Sequence, residues 1–406
     1  MEATNDLSTC TDEPKKDVFP ESYISFVSLP CKFVSCHSNA FCIDRPFRPK
    51  CVCEYGYAGN GATECDVCGS SFYDKNVRIV GGIEAEPHSW PFHVVVLRKN
   101  EKIFRYNNQS KVLFNEFYTC GGTLINKRTV MTAAHCVYDH KPNDFTRENR
   151  FYYKSSFKVF VGWHDIQLIN EYFYQKELSL LGIDVEKVIK HEMFDTHTYK
   201  NDIAILKLKE AVNLGPTVQL ICLPNYKNNT VEFPFSNTEA YIMGWGFRNE
   251  TVRIRGKKLI NAKVKILDTT LCNYTNTILK NTTHSNNMTS SSQRVNDEYV
   301  RFFSNASEYQ NFLSSLNMMY YMDEMYKNNN IENSQVCAGN YEIGAVDSCK
   351  GDSGGSLVTL SEIKGQNRYV SSGIVSFGYG CGRPKYPGIY TRTSYFLEWI
   401  HEHSGY

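Results

Sequence analysis

Gly351-Asp352-Ser353-Gly354-Gly355 fits the pattern Gly-x-Ser-x-Gly, in which glycines allow a tight turn that lifts a serine oxygen within reach of a substrate. In an α/β-hydrolase an acid and then a histidine would follow that serine. Here no Asp follows Ser353, and the histidines that do, His401 and His403, sit in the terminal segment, so the hydrolase order is not met. Upstream, Thr132-Ala133-Ala134-His135-Cys136 offers a histidine, and Asn201-Asp202-Ile203-Ala204-Ile205-Leu206 offers an aspartate opening an apolar strand. A serine hydroxyl needs a base to take its proton, and an imidazole needs a partner that fixes its tautomer and stabilises its charged form. His135, Asp202 and Ser353 supply base, orienting acid and nucleophile in that chain order.

The texture around these residues is that of short β-rich runs, such as His93-Val94-Val95-Val96-Leu97 and Phe157-Lys158-Val159-Phe160-Val161, separated by turn signals. This predicts an all-β sandwich or barrel rather than alternating βαβ units. The last twelve residues, with Tyr395, Phe396, Trp399 and Ile400, space their apolar groups like a terminal helix. Between Cys272 and Cys337 lie 64 residues, 13 of them Asn, which read as a surface insertion over 273–336. Phe312, Leu313, Leu316, Met319 and Tyr320 predict an amphipathic helix within it, and its Asn- and Ser-rich remainder predicts disorder.

The front of the chain is built differently. Eight of the 15 cysteines (Cys10, Cys31, Cys36, Cys42, Cys51, Cys53, Cys65, Cys68) fall in the first 68 residues of 406, the density of a scaffold too small to hold itself by apolar burial. Such usage implies an oxidising compartment. Sequons at Asn108, Asn228, Asn249, Asn273, Asn281, Asn287 and Asn305 point the same way. The start carries no export signal and no stretch of 18 apolar residues exists, so the expectation is that the given start is not the true N-terminus and that no membrane is spanned. With 44 basic against 43 acidic residues, nothing in the overall charge favours nucleic acid.

On the three motifs around His135, Asp202 and Ser353, with Arg78-Ile79-Val80-Gly81-Gly82 in front and Gly244-Trp245-Gly246 between, the chain resembles the chymotrypsin family, specifically its trypsin-like members, over residues 79–406. The resemblance implies two six-stranded antiparallel β-barrels with a C-terminal helix. It implies an oxyanion hole from the N–H groups of Gly351 and Ser353, and a primary pocket floored by Asp347 that selects Arg or Lys. It makes Gly378 and Gly388 the walls of that pocket, and Ser376, Phe377 and Gly378 the segment that pairs with extended substrate. Phe377 stands where tryptophan is usual, and Lys350 where many members carry Gln. The resemblance also implies a zymogen, cut behind Arg78 so that the new amino group of Ile79 pairs with a buried Asp352.

Residues 31–65 run C-x4-C-x5-C-x8-C-x-C-x11-C with Gly56, Tyr57, Gly59 and Gly61 before the last cysteine, and resemble an EGF-like domain. Spacing alone leaves fifteen connectivities open, and a zinc site from Cys51, Cys53, Cys65 and Cys68 is the alternative. The resemblance implies Cys31 with Cys42, Cys36 with Cys51, and Cys53 with Cys65; for the remainder it implies Cys68 with Cys222, Cys120 with Cys136, Cys272 with Cys337, and Cys349 with Cys381. Cys10 is left over. A further pair common in trypsins is missing, with Ile242 and Thr359 near its expected positions. No calcium is expected at Gly162-Trp163-His164-Asp165 or in the EGF-like segment, and no cofactor or metal is called for.

The domain reading is a leader over 1–30, the EGF-like domain over 31–65, a linker with the activation site over 66–78, and the peptidase domain over 79–406. The functional expectation is a secreted serine endopeptidase zymogen cleaving proteins after Arg or Lys in regulatory limited proteolysis. Its expected partners are such substrates, an activating trypsin-like protease, protein protease inhibitors and an EGF-mediated protein partner, with no nucleic acid. The competing expectations are a catalytically weak protease-like binding or cofactor protein, and an EGF module that signals or adheres by itself.

Overall fold

A computed structural model describes residues 31–44, 49–72, 82–106, 109–138, 151–167, 182–227, 232–247, 256–273, 330–344 and 347–405. Arg78, Ile79, Cys10, the leader, the helix expected around residues 312–320, and the sequons other than Asn273 lie outside the described residues.

The N-terminal disulfide-rich module consists of a 3-10 turn at Cys31–Phe33 and two small antiparallel ribbons. Strand β1 (Ala40–Ile43) pairs with β2 (Lys50–Cys53), and β3 (Tyr57–Ala58) with β4 (Asp66–Val67). Bonds Cys31–Cys42, Cys36–Cys51 and Cys53–Cys65 hold it, which leaves no zinc ligands there. The module is joined to the rest by Cys68–Cys222 and by backbone: Gly69 N–H donates to Leu220 C=O (2.7 Å), and Gly69 C=O accepts from Tyr369 N–H (2.9 Å). Gly69 sits at φ +69°, and a Cβ there would run into the Tyr369 backbone, so only glycine permits this approach.

Strand β5 (Ile83–Glu84) leads into β6 (His93–Tyr106), β7 (Gln109–Asn126), β8 (Thr129–Thr132), the short helix α1 (Ala134–Val137), β9 (Phe151–Val161), β10 (Ile183–Lys190) and β11 (Ala204–Leu208). Six of these close an antiparallel barrel in the order β10-β11-β8-β7-β6-β9. The continuous apolar run in β6 makes sense in a barrel wall covered on its outer side, since Val94, Val95, Val96 and Leu97 are all buried. Phe92, Leu124, Met131, Phe160, Ile205 and Leu206 complete this core. Each such side chain removes apolar surface worth about 1.5–3 kcal/mol.

The second barrel is formed by β12 (Glu239–Gly244), β13 (Ile260–Ile266), β14 (Gln335–Gly339), β15 (Ser356–Ile363), β16 (Gln366–Phe377) and β17 (Gly388–Arg392). It is closed by the β12–β13 pairing and extended by β5 on the outer side of β13. Ala240, Ile242, Val264, Leu357, Val375 and Tyr390 fill it. The fold is thus the two closed six-stranded antiparallel barrels expected. One expectation is corrected: the residue facing Thr359 across β12 and β15 is Ala240, whereas Ile242 faces Leu357. Ile242 spends its side chain in the barrel core, and Thr359 bonds Ser372 instead (Oγ1···Oγ 2.8 Å).

The chain ends in a 3-10 turn (Thr393–Phe396) and helix α2 (Leu397–Ser404), which buries Leu397, Trp399 and Ile400. Its last carbonyls are taken by the first barrel, with Lys207 Nζ donating to Ser404 C=O (2.7 Å) and Gly405 C=O (2.9 Å). A cation there also suits the negative end of the helix.

Candidate active site

His135 stands in α1 of the first barrel, and Asp202 in the turn before β11. The Asp202 carboxylate is fully buried and binds His135 twice. Its Oδ1 accepts the His135 backbone N–H (2.8 Å), and its Oδ2 lies 2.7 Å from Nδ1. That geometry places the Nδ1 proton against the carboxylate and leaves Nε2 able to accept one.

Ser376, expected to serve substrate pairing, is found to have a further role. Its buried hydroxyl donates to Asp202 Oδ2 (2.6 Å), so only its backbone remains for a substrate. Thr391 Oγ1 donates to Asp202 C=O (2.8 Å), and the Tyr199 ring lies 5.2 Å from the His135 ring. Tyr199 is held in the left-handed region at φ +51°, a costly place for a bulky residue, with its N–H donating to Asp195 C=O (2.8 Å). None of these three was legible beforehand. Only barrel closure brings Ser376 to a partner 174 positions away, and no local pattern marks it.

Ser353 comes from the turn before β15 in the second barrel. Its C=O accepts from Gly121 N–H (2.8 Å) and lies 3.6 Å from Cys136 Sγ, beside the histidine. Among the described residues the His135 ring bonds Asp202 and not Ser353 Oγ, a contact that is often loose before substrate arrives. Gly354, at φ +78°, has no room for a Cβ against Thr132 and Gly121, and Gly351 lies at φ +105°. Among the described residues the N–H groups of Gly351 and Ser353 have no protein acceptor, as donors reserved for a developing oxyanion require.

Asp352 turns its carboxylate inward. Oδ1 accepts Gly246 N–H (2.7 Å) and Oδ2 accepts Cys349 N–H (2.9 Å). A Cβ on Gly244 or Gly246 would collide with that carboxylate. Close by, the His93 ring is buried and stacked on Trp245 (5.1 Å), and among the described residues neither of its nitrogens has a hydrogen-bond partner. Burial drives its pKa down to about 3.

Asp347 lies beneath Gly388 and Gly378. A Cβ on Gly388 would strike its carboxylate, and one on Gly378 would come within 3.9 Å of it. Neither glycine therefore lays a side chain over the acid. Protein atoms crowd the carboxylate, and the residue as a whole is half-buried. Desolvation pushes its pKa up to about 7; the N–H groups of Ser348 and Gly382 and the hydroxyls of Tyr390 and Ser348 pull it down. Phe377 is buried with its ring 5.8 Å from Tyr199, forming an aromatic wall beside His135. Lys350 is exposed.

Bonds Cys120–Cys136, Cys272–Cys337 and Cys349–Cys381 brace these loops. Cys120, His135 and Cys136 form a group close enough to hold a metal, but both sulfurs are spent in the disulfide, leaving one nitrogen to offer. Asn273, expected to accept a glycan, has its amide bonded to the backbone of Ile331.

Comparison with known proteins places this geometry. The family model described as Trypsin matches residues 79–299 and 302–400. The chain belongs to the trypsin family of serine proteases. Among this protease's relatives is the clotting factor G beta subunit of Tachypleus tridentatus, 29% identical over 326 residues, which covers 80% of this chain and 79% of that protein. Among the described residues no helix of the protease is long and apolar enough to cross a membrane.

Proposed function

We propose that this trypsin-family protease is secreted as a zymogen, is activated by cleavage after Arg78, and then cuts protein substrates after Arg or Lys in limited proteolysis. The observation that carries the specificity is the Asp347 carboxylate lying against Gly388 and Gly378, which put no side chain over it and so leave it as the foot of the proposed substrate slot. An arginine or lysine head entering it pairs with the ionised acid in a low-dielectric site. An apolar side chain would leave that charge desolvated and unpaired.

The chemistry follows from the positions of the groups. Ser353 Oγ attacks the scissile carbonyl as His135 Nε2 takes its proton. Asp202, braced by Ser376, holds the ring and stabilises the imidazolium. The N–H groups of Gly351 and Ser353 receive the oxyanion, each such donor being worth about 2.7–4 kcal/mol of barrier. His135 returns the proton to the leaving amine, and water repeats the cycle on the acyl-enzyme. In the zymogen reading, the Ile79 amine liberated by the cut joins the inward-facing Asp352 and fixes Gly351 and Ser353. A buried charge pair of this kind costs about 3–5 kcal/mol to break. The disulfide count and the clotting-factor relative support an extracellular, regulatory setting.

The test is hydrolysis of peptide amides bearing Arg, Lys, Phe or Ala before the scissile bond, measured before and after cleavage behind Arg78, with Ser353→Ala as control. Turnover of Arg and Lys amides only after cleavage is expected. Absence of turnover in correctly cut, oxidised protein overturns the proposal in favour of a protease-like binding protein.

A further inference from the structure

The large insertion leaves the second barrel after Cys272–Asn273 and returns at Ile331, and its two ends are tied together by more than the disulfide Cys272–Cys337. Asn273 Oδ1 accepts the Ile331 backbone N–H (2.7 Å), and Asn273 Nδ2 donates to the Ile331 C=O (3.3 Å). One carboxamide thus reads both polar groups of a residue 58 positions away. Ile331 is buried in a cluster with Cys272, Cys337, Phe377 and Ile389, against which Tyr199 and Tyr379 pack. The next residue, Glu332, pairs with Lys200, the neighbour of Tyr199. The amide of Asn273 therefore fixes the residue that underlies the Tyr199–Phe377 wall beside His135.

Asn273-Tyr274-Thr275 is also a sequon. A glycan linked to Nδ2 makes a secondary amide, which takes the trans form and so sets the sugar on the same side as Oδ1. That is the side from which the two-bond lock donates, because Oδ1 and the donated hydrogen must face Ile331 together. Lock and glycan compete for one hydrogen of one nitrogen.

We infer that Asn273 is a positioning residue for the acyl-side substrate subsites, holding Ile331 beneath Phe377 and Tyr199, and that it carries no glycan in the folded protease. The inference rests on the proposed endopeptidase activity for its subsite half, whereas its modification half stands on the geometry alone.

The experiment uses the full chain expressed in a eukaryotic secretory host, activated by limited trypsin cleavage. Peptide mapping by mass spectrometry is expected to find the Asn273 peptide at its unmodified mass, and Thr275→Ala, which removes the sequon and keeps Asn273, to leave glycan content and kinetics as they were. Asn273→Asp keeps the acceptor and loses the donor. It is expected to raise KM about three- to tenfold for a tetrapeptidyl-Arg amide, the worth of one net hydrogen bond, while a single-residue Arg amide is unaffected. A sugar on Asn273 in the active fraction overturns the inference. So does an equal loss on short and long substrates, or no loss on either. If the activated wild type hydrolyses no amide, the proposed activity fails, and the mass of the Asn273 peptide still decides the lock.

Discussion

Both carboxylate oxygens of Asp202 are engaged by His135, one by its backbone N–H and one by its ring Nδ1. The ring is therefore held in position and in tautomer by the same residue. Ser376 shares Oδ2, so the acid is braced from the second barrel while it serves the first.

This bracing can be weighed by mutation. Ser376→Ala removes one hydrogen bond to a charged acceptor, worth about 1.5–3 kcal/mol, and is expected to lower kcat about ten- to a hundredfold with little change in KM. Asp202→Asn, which reverses the tautomer preference, is expected to lower kcat by about 10⁴. Steady-state kinetics on an Arg amide would check both, and an unchanged kcat in Ser376→Ala would remove the brace from the mechanism.

The raised pKa of Asp347 sets a pH window for cation binding. Its carboxyl ionises at about 7 when the slot is empty, so below that pH benzamidinium must displace a proton. Affinity should be flat above about pH 8 and fall about tenfold per unit below 7. Asp347→Asn should bind weakly and without this slope. The folded protein holds a proton that the unfolded chain, near 3.8, releases across this interval, so ionisation here works against folding as pH rises. Asp347→Asn should accordingly melt higher than wild type at pH 8 and no higher at pH 4. A pH-independent benzamidinium affinity in the wild type between 5 and 8 would contradict the assignment.

His93 acts in the opposite direction. Its folded pKa of about 3 lies below the ordinary 6.5 because the buried ring resists charge. The unfolded chain binds a proton that the folded one refuses, so the contribution is complete above 6.5 and is lost as pH falls, by about 1.4 kcal/mol per unit until about pH 3. Urea unfolding of wild type and His93→Leu at pH 7.5 and 4.5 should show a shallower acid loss in the variant. Parallel curves would mean that the ring finds a partner on protonation.

The contact of His135 with Asp202 joins two motifs that were legible in the sequence; the all-β class was legible in the short β-rich runs, and the twin barrels came with the family resemblance. What escaped was whatever needed two distant strands to meet. Ser376 looked like substrate-facing backbone because its motif says nothing of the carboxylate behind it. Ala240 faces Thr359 and Ile242 faces Leu357, and because both side chains enter the same barrel core, alternation along β12 could not tell the two registers apart. Asn273 carried a sequon and so read as a glycan acceptor, and only the folded loop base reveals its second claim on the amide.

The bond between Cys68 and Cys222 closes a loop of 154 positions, and the stretch behind Arg78 lies inside that loop. A single cut there yields two polypeptides and still one molecule. Were the halves joined only by non-covalent contacts, such as those at Gly69 and the Lys127–Asp66 pair, dilution would let them drift apart. Covalently joined, they keep a one-to-one stoichiometry at any concentration, and wherever the small module lodges, one protease domain arrives with it.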